Sequence, residues 1–382
     1  MAGISDVLDE ILADSGSEIS SEETSSSSSS EESDDDLVAT TSKPSGTRKP
    51  NFRTGWQATS TFQKPLPVKF REPTGCSQNC SHLSPSQVFQ LFFCDAVWQL
   101  LVRETNRYAD QTLSAESADS QQTWIPTDVP EMMAFVALLV SMGINKRPSY
   151  AMYWSRCEVL RSPLYPSTMA RNRFLAILRF LHLSDNTADD SPRDKLSKVR
   201  PLLDIVVPLF RSNYKPGKNL SPDETMIKFN GRLGFKQYIP RKSAKYGLKC
   251  FSLNESETGY TSDWKVSTGS KAPSHPIISH SVAYAESHHP PNLPASGQVV
   301  LDLLKGLENK GHAVFMDNWY TSPALVHKLS QLGFGARGTV RYTTQGIPDS
   351  ANPKKVPMNR HDPPQFFSKA GQLCIVWQDA KK

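Results

Sequence analysis

The spacing of apolar positions changes about halfway along the chain. From Ser84, the residues Val88, Leu91, Phe92, Trp98, Leu101 and Val102 recur at helical intervals, and Ser84-Pro85 supplies an N-cap followed by a proline at the first helical position. Glu131 to Ile144 is apolar nearly all round, the pattern of a helix buried on every side. Between Ser167 and Leu183, Phe174, Ile177, Leu178 and Leu181 make an inward face, while Arg171, Arg173 and Arg179 lie elsewhere. Val199 to Tyr214 predicts a further helix, with Pro201 and Pro208 against it. Residues 84–216 therefore read as a helical domain.

The period then shortens. Thr225–Phe229, Phe235–Ile239 and Tyr246–Leu253 are short, aromatic or β-branched, and separated by Gly, Pro and Asn, so they predict consecutive antiparallel strands. Trp264–Thr268 adds a candidate fourth. A His- and Pro-rich loop follows to about Ser296. Then come a helix from Gln298 to Leu307, a strand Ala313–Met316, a helix opened by Ser322-Pro323 and running to Gln331, and a strand Gly335–Val340. Three strands followed by helix, strand, helix and strand is an α/β order with an antiparallel start. No internal repeat is present.

Charge changes this picture at one end. Residues 1–42 contain 12 acids and no Lys or Arg, and include six consecutive serines, Ser25–Ser30. Such a segment repels itself and has little to bury, so a disordered acidic tail is expected, with 43–83 as a Pro-, Ser- and Lys-rich linker. The other 340 residues carry 43 basic against 26 acidic groups, a net +17 that suggests a nucleic-acid partner. With 38% apolar and 21% charged residues over 382 positions, the chain has ample material for one elaborated domain or two. The acidic start MAGISDVLDE argues against a secretory signal. The longest mostly apolar run, Met132–Ile144, falls short of the roughly 20 residues a membrane span needs, so no membrane partner is expected. Cys76, Cys80, Cys94, Cys157, Cys250 and Cys374 are scattered, which argues for a reducing compartment.

Two constellations carry candidate chemistry. Asp223 stands at the head of the first predicted strand and Asp317 just after Ala313–Met316, the carboxyl end of a strand where open α/β sheets place functional groups. Two carboxylates from neighbouring strands suit Mg²⁺, a hard ion that takes oxygen ligands, although Asp also favours caps and turns at such positions. Residues 225–254 hold Lys228, Arg232, Lys236, Arg241, Lys242, Lys245 and Lys249 and no acid, with Phe229, Phe235, Tyr238, Tyr246 and Phe251 interleaved. This run is either a phosphate-neutralising face or a solvated strand face with its aromatics packed inward. Cys76-x3-Cys80-x-His82 has metal-like residues but lies in linker without a second ligand pair, and His275, His280, His288 and His289 read as solvent-exposed.

The segments SPDETMIKFNGR (221–232), YIPRKSAKYGLK (238–249), MDNWYTSPALVHKL (316–329) and GARGTVRYTTQGIP (335–348) closely resemble the piggyBac transposase family. So do MGINKRPSYAMYWS (142–155), RFLAILRFLHLSDN (173–186) and DKLSKVRPLLD (194–204), in the same order. The resemblance implies a ribonuclease-H-like mixed sheet over 217–343, after a helical dimerisation and DNA-binding domain over 84–216. It implies metal-dependent cleavage of double-stranded DNA and strand transfer into TTAA sites, with Mg²⁺ held by three aspartates, in a nuclear protein with homodimerisation among its expectations. The first aspartate falls on Asp223 and the second on Asp317, and the basic run becomes a DNA-facing surface. The family's third aspartate lies beyond an insertion segment, and 344–382 resembles only the start of that insertion. Asp379 matches a non-catalytic position, and the family's Cys-rich zinc domain has no counterpart. The expectation is an incomplete core with little or no cleavage activity and an uncovered sheet face. The alternative is a domesticated protein that binds DNA or chromatin without catalysis.

Overall fold

The computed structural model describes residues 55–62, 68–115, 123–187, 194–240, 242–269, 293–352, 354, 356–359 and 361–378. The expected acidic tail, Arg241, the four loop histidines and Asp379 lie outside them. The described residues belong to two compact units, one within Lys64–Arg341 and one joining residues 55–62 to 342–378. No described helix is long and apolar enough to cross a membrane.

The larger unit begins with helices. α1 (Pro85–Gln90) opens on a reciprocal cap, in which the Ser84 backbone N–H donates to Gln87 Oε1 at 2.8 Å and Gln87 N–H donates to Ser84 Oγ at 3.4 Å. The single helix expected from the spacing is interrupted at 91–94 and resumes as α2 (Asp95–Ala115). The interruption brings Phe93 against both Phe89 (4.6 Å) and Trp98 (5.4 Å), and the freed Leu91 carbonyl accepts from Asn213 Nδ2 at 2.7 Å. α3 (Val129–Ile144) is capped by Asp128, whose carboxylate accepts from Glu131 N–H at 2.9 Å. α4 (Arg171–Phe180) starts later than the sequence pattern suggests, after a separate helical turn at Leu164–Thr168. Arg173 on α4 grips the Glu131 carboxylate with two bonds of 2.6 and 2.5 Å and lies over the Trp124 ring. Val97, Trp98 and Leu101 of α2, Met132, Phe135 and Leu138 of α3, and Phe174 and Ile177 of α4 form one buried cluster. α5 (Arg200–Asn213) continues through Pro208.

The mixed sheet follows: β1 (Asn219–Lys228), β2 (Gln237–Tyr238), β3 (Tyr246–Glu255), β4 (Thr261–Val266), β5 (Ala313–Met316) and β6 (Gly335–Gly338). β3 pairs antiparallel with β1 on one edge and with β2 and β4 on the other. β1 pairs parallel with β5, and β5 parallel with β6, so the long strands run β4-β3-β1-β5-β6 across the sheet. α6 (Ala295–Leu304) and α7 (Pro323–Gln331) form the two crossovers. Their Val300, Leu303, Leu304, Leu325 and Leu329 are buried with Leu220, Leu253, Val314 and Met316 in a second core. At the other end of the sheet, Arg211 of α5 donates to the Asp263 carboxylate of β4 at 2.8 Å.

β1 corrects one expectation. It begins at Asn219, six residues before the predicted Thr225, so Asp223 lies inside the strand rather than at its head. Pro222 sits in the ladder opposite Leu253. β2 is two residues long where five were expected.

The smaller unit holds a three-stranded antiparallel sheet in the order 57–58, 365–369, 372–376. Trp56 Nε1 donates to the Gly346 carbonyl at 2.7 Å within it.

Candidate functional site

The β1–β5 register decides where the two aspartates meet. Asn219 pairs with Ala313 and Leu220 with Val314, an offset of 94 residues. Carried forward, the same offset sets Asp223 beside Asp317. In a parallel pair, residues in register point to the same side, and neighbouring strands are roughly 4.8 Å apart. Both aspartates are exposed, although Pro222 and Met316 immediately before them are buried.

The ladder stops just short of the pair. Ala313 N–H donates to the Lys218 carbonyl at 2.7 Å, and two-residue steps along the parallel ladder would require residue 222 to donate towards Phe315. Pro222 has no N–H, and the Phe315 carbonyl instead accepts from the Ser221 hydroxyl at 3.3 Å.

Local hydrogen bonds orient both carboxylates. Asp223 Oδ1 accepts from Glu224 N–H at 2.7 Å. Asp317 Oδ1 accepts from Trp319 N–H at 3.0 Å and Tyr320 N–H at 3.3 Å, and its carbonyl accepts from Thr321 Oγ1 at 2.6 Å. The turn at 317–320 thus holds one Asp317 oxygen against backbone and leaves the other side of the group to face outward. Among the described residues, no group of three or more His, Cys, Asp or Glu is arranged to hold a metal ion. The donor set fits one hard divalent cation taking a carboxylate oxygen from each aspartate, with water completing its shell.

Sequence reasoning missed the residues packed against the pair. Tyr320 is buried, and its hydroxyl has no hydrogen-bond partner. Burial, and then the carboxylates of Glu224, Asp223 and Asp317, hold its phenol well above the usual tyrosine range. Glu224 has one buried oxygen without a partner, and its other oxygen lies 3.7 Å from Lys242 Nζ. Trp319 stacks on Phe251 at 5.7 Å, with Lys249 Nζ 4.5 Å from the Trp319 ring centre. The only sequence signal for this group was its place in the DE and DNWY segments.

The six described cations of the basic run separate into types. Lys228, Arg232 and Lys245 are exposed. Lys236 is half-buried, bonded to the Gly231 carbonyl at 3.0 Å and 5.9 Å from the Tyr246 ring centre. Lys242 and Lys249 are drawn towards the carboxylate end of the sheet, Lys242 Nζ also donating to the Glu224 carbonyl at 3.3 Å. Phe235 is buried, whereas Tyr238 and Tyr246 are exposed, so the aromatics of this run do not all pack inward. Elsewhere, Cys76 and Cys80 approach one another; burial and the Cys76 thiol raise the Cys80 thiol above its usual range, and His82 is exposed.

Comparison with known proteins follows the same residues. The family profile described as Transposase IS4 matches residues 84–376. Human PiggyBac transposable element-derived protein 3 is 30% identical over 262 residues, covering 68% of this chain and 40% of that protein. Human PiggyBac transposable element-derived protein 2 is 28% identical over 304 residues, covering 78% of this chain and 47% of that protein. The chain therefore spans less than half the length of these two relatives. A solved structure, the cryo-EM structure of a piggyBac transposase synaptic complex with hairpin DNA, is similar with a TM-score of 0.68 and 25% identity, covering 81% of this chain and 62% of that one.

Proposed function

From the premise that the chain belongs to the Transposase IS4 family, of piggyBac type, we propose that it is a DNA-binding protein built around a two-aspartate, Mg²⁺-binding site for phosphodiester chemistry. The observation that carries the proposal is the 94-residue offset between β1 and β5, which, carried forward past Leu220 and Val314, supports reading Asp223 and Asp317 as neighbours. The strand order β4-β3-β1-β5-β6, antiparallel on one side of β1 and parallel on the other, supports a ribonuclease-H-like reading of the sheet. The solved relative is a DNA complex, which supports DNA as the partner. A nuclear location and homodimerisation belong to the same proposal.

In this reading Asp223 and Asp317 hold the cation, and the Asp317 turn fixes the second ligand through backbone N–H groups. When bound, Mg²⁺ supplies Lewis-acid activation of an attacking oxygen and charge stabilisation of a leaving one. The chain's own cations do the binding. Lys228, Arg232, Lys236 and Lys245 neutralise phosphates, Lys249 brings positive charge beside Trp319, and Lys242 offsets Glu224. Two carboxylates ligate one ion incompletely, and in-line transfer requires both reacting oxygens to be clamped. These described residues alone are therefore proposed to bind DNA with little cleavage, which keeps the domesticated DNA-binding reading as the second possibility.

Tb³⁺ luminescence tests the site directly, because Trp319 lies beside Asp317 and can sensitise a bound lanthanide. Emission displaced by Mg²⁺, and lost in Asp223→Asn and Asp317→Asn, is expected. Wild-type emission that survives both substitutions removes the site.

A further inference from the structure

A second feature lies where β2 meets β3, away from the carboxylates. Tyr238 of β2 pairs with Tyr246 of β3, their ring centres 4.5 Å apart and inclined at 33°. Cross-strand aromatic pairs ordinarily stabilise a hairpin by covering one another. This pair leaves 53% of Tyr238 and 55% of Tyr246 exposed. Phe229 N–H donates to the Tyr246 carbonyl at 3.4 Å, so Tyr246 lies level with a residue six positions beyond Asp223, roughly 20 Å along the strand.

The surroundings select a partner by charge. Lys228, Arg232 and Lys245 are exposed nearby, Lys236 approaches the Tyr246 ring, and no acid occurs from 225 to 254. The loop between the tyrosines returns towards the acid pair, where Lys242 meets Glu224. Positive charge therefore lies beside the aromatic pair, at Lys236, and near the carboxylate end, at Lys242. Cations alone suit any duplex, but half-exposed aromatic rings gain nothing from a duplex, whose bases are already covered by their neighbours. Unpaired bases each offer an open π-face to aromatic side chains, largely independent of sequence.

We propose that Tyr238 and Tyr246 form a stacking platform for unpaired bases, so that this surface receives a DNA end with a single-stranded extension. The inference rests on the DNA-binding reading and specifies the form of the DNA. A strand whose phosphates meet Lys236 would bring its end to the rings while the adjoining duplex lies towards Asp223 and Asp317, a separation of about six stacked nucleotides.

Fluorescence anisotropy of the full 382-residue chain tests this with a blunt duplex and the same duplex carrying a six-nucleotide unpaired extension of either polarity. The extended DNA is expected to bind roughly tenfold more tightly at equal salt. Tyr238→Leu with Tyr246→Leu should remove that advantage without weakening blunt-duplex binding, while the two Tyr→Phe changes should retain it. Thermal melts of each variant check folding. A 2-aminopurine base in the extension should be quenched by the wild-type chain, a readout that needs no variant. Equal binding of blunt and extended DNA, an advantage that survives the leucine changes, or an unquenched 2-aminopurine overturns the platform alone. Absence of binding to either DNA overturns the DNA-binding reading together with it.

Discussion

Tyr320 carries a buried hydroxyl with no partner beside three carboxylates, an arrangement that costs about 1–3 kcal/mol when nothing else compensates. Tyr320→Phe keeps the ring that packs edge-on to Trp319 and removes only the orphaned group. It should melt at the same or a higher temperature than the wild type by calorimetry; a clear loss of stability would show that the hydroxyl is bonded. His312 gives the opposite kind of test. It is buried under Phe70 with Nδ1 2.9 Å from the Gly217 carbonyl, and burial holds its imidazole below the ordinary histidine value. The unfolded chain therefore takes up a proton near pH 6.5 while the folded chain resists it. The stability due to neutral His312 is complete above that pH and falls as the solution is acidified through and below it. The difference in melting temperature between wild type and His312→Gln should shrink from pH 7.5 to pH 5.5. At this scale the sequence was legible where a motif pairs residue type with position, as for Asp223 and Asp317. Tyr320 and His312 were not legible, because their environments come from the helices and loops that close over them.

Elements were legible where their ends carry local chemistry. Ser84 and Ser322 are side-chain caps to helices, each followed directly by proline, whereas the Asp128 cap was missed and α3 starts two residues before the expected Glu131. Interiors were less legible. β1 starts before the expected Thr225 and runs through Pro222, because its other edge keeps the long pairing with β3. That pairing depends on Gly247, opposite Lys228, where an added Cβ would meet the Ile227 carbonyl oxygen. Gly247→Ala should destabilise the sheet by about 1–3 kcal/mol, measured by denaturant titration. A change well below that range would mean that the strands separate easily there. The substitution also bears on Tyr246, since it disturbs the same end of the strand that presents the ring.

For the molecule as a whole, the net +17 outside the first 42 residues did not reveal which cations are available to a partner. Lys228 and Lys245 are exposed, whereas Lys242 is paired with Glu224. Reversing Lys228 and Lys245 should lower the slope of duplex affinity against salt by about 0.9 for each phosphate that is no longer neutralised. Lys242→Ala should change that slope less, as seen in anisotropy titrations across several salt concentrations; equal effects would mean that Lys242 leaves Glu224 to meet DNA. The missing rung at Pro222 has a wider consequence. Where the described residues show no backbone bond between β1 and β5 at the carboxylate end, a side chain, the Ser221 hydroxyl, spans the gap to the Phe315 carbonyl, while the sheet behind it stays zipped. The backbone pairing of β1 with β5 thus ends three residues before each aspartate, at Leu220 and Val314.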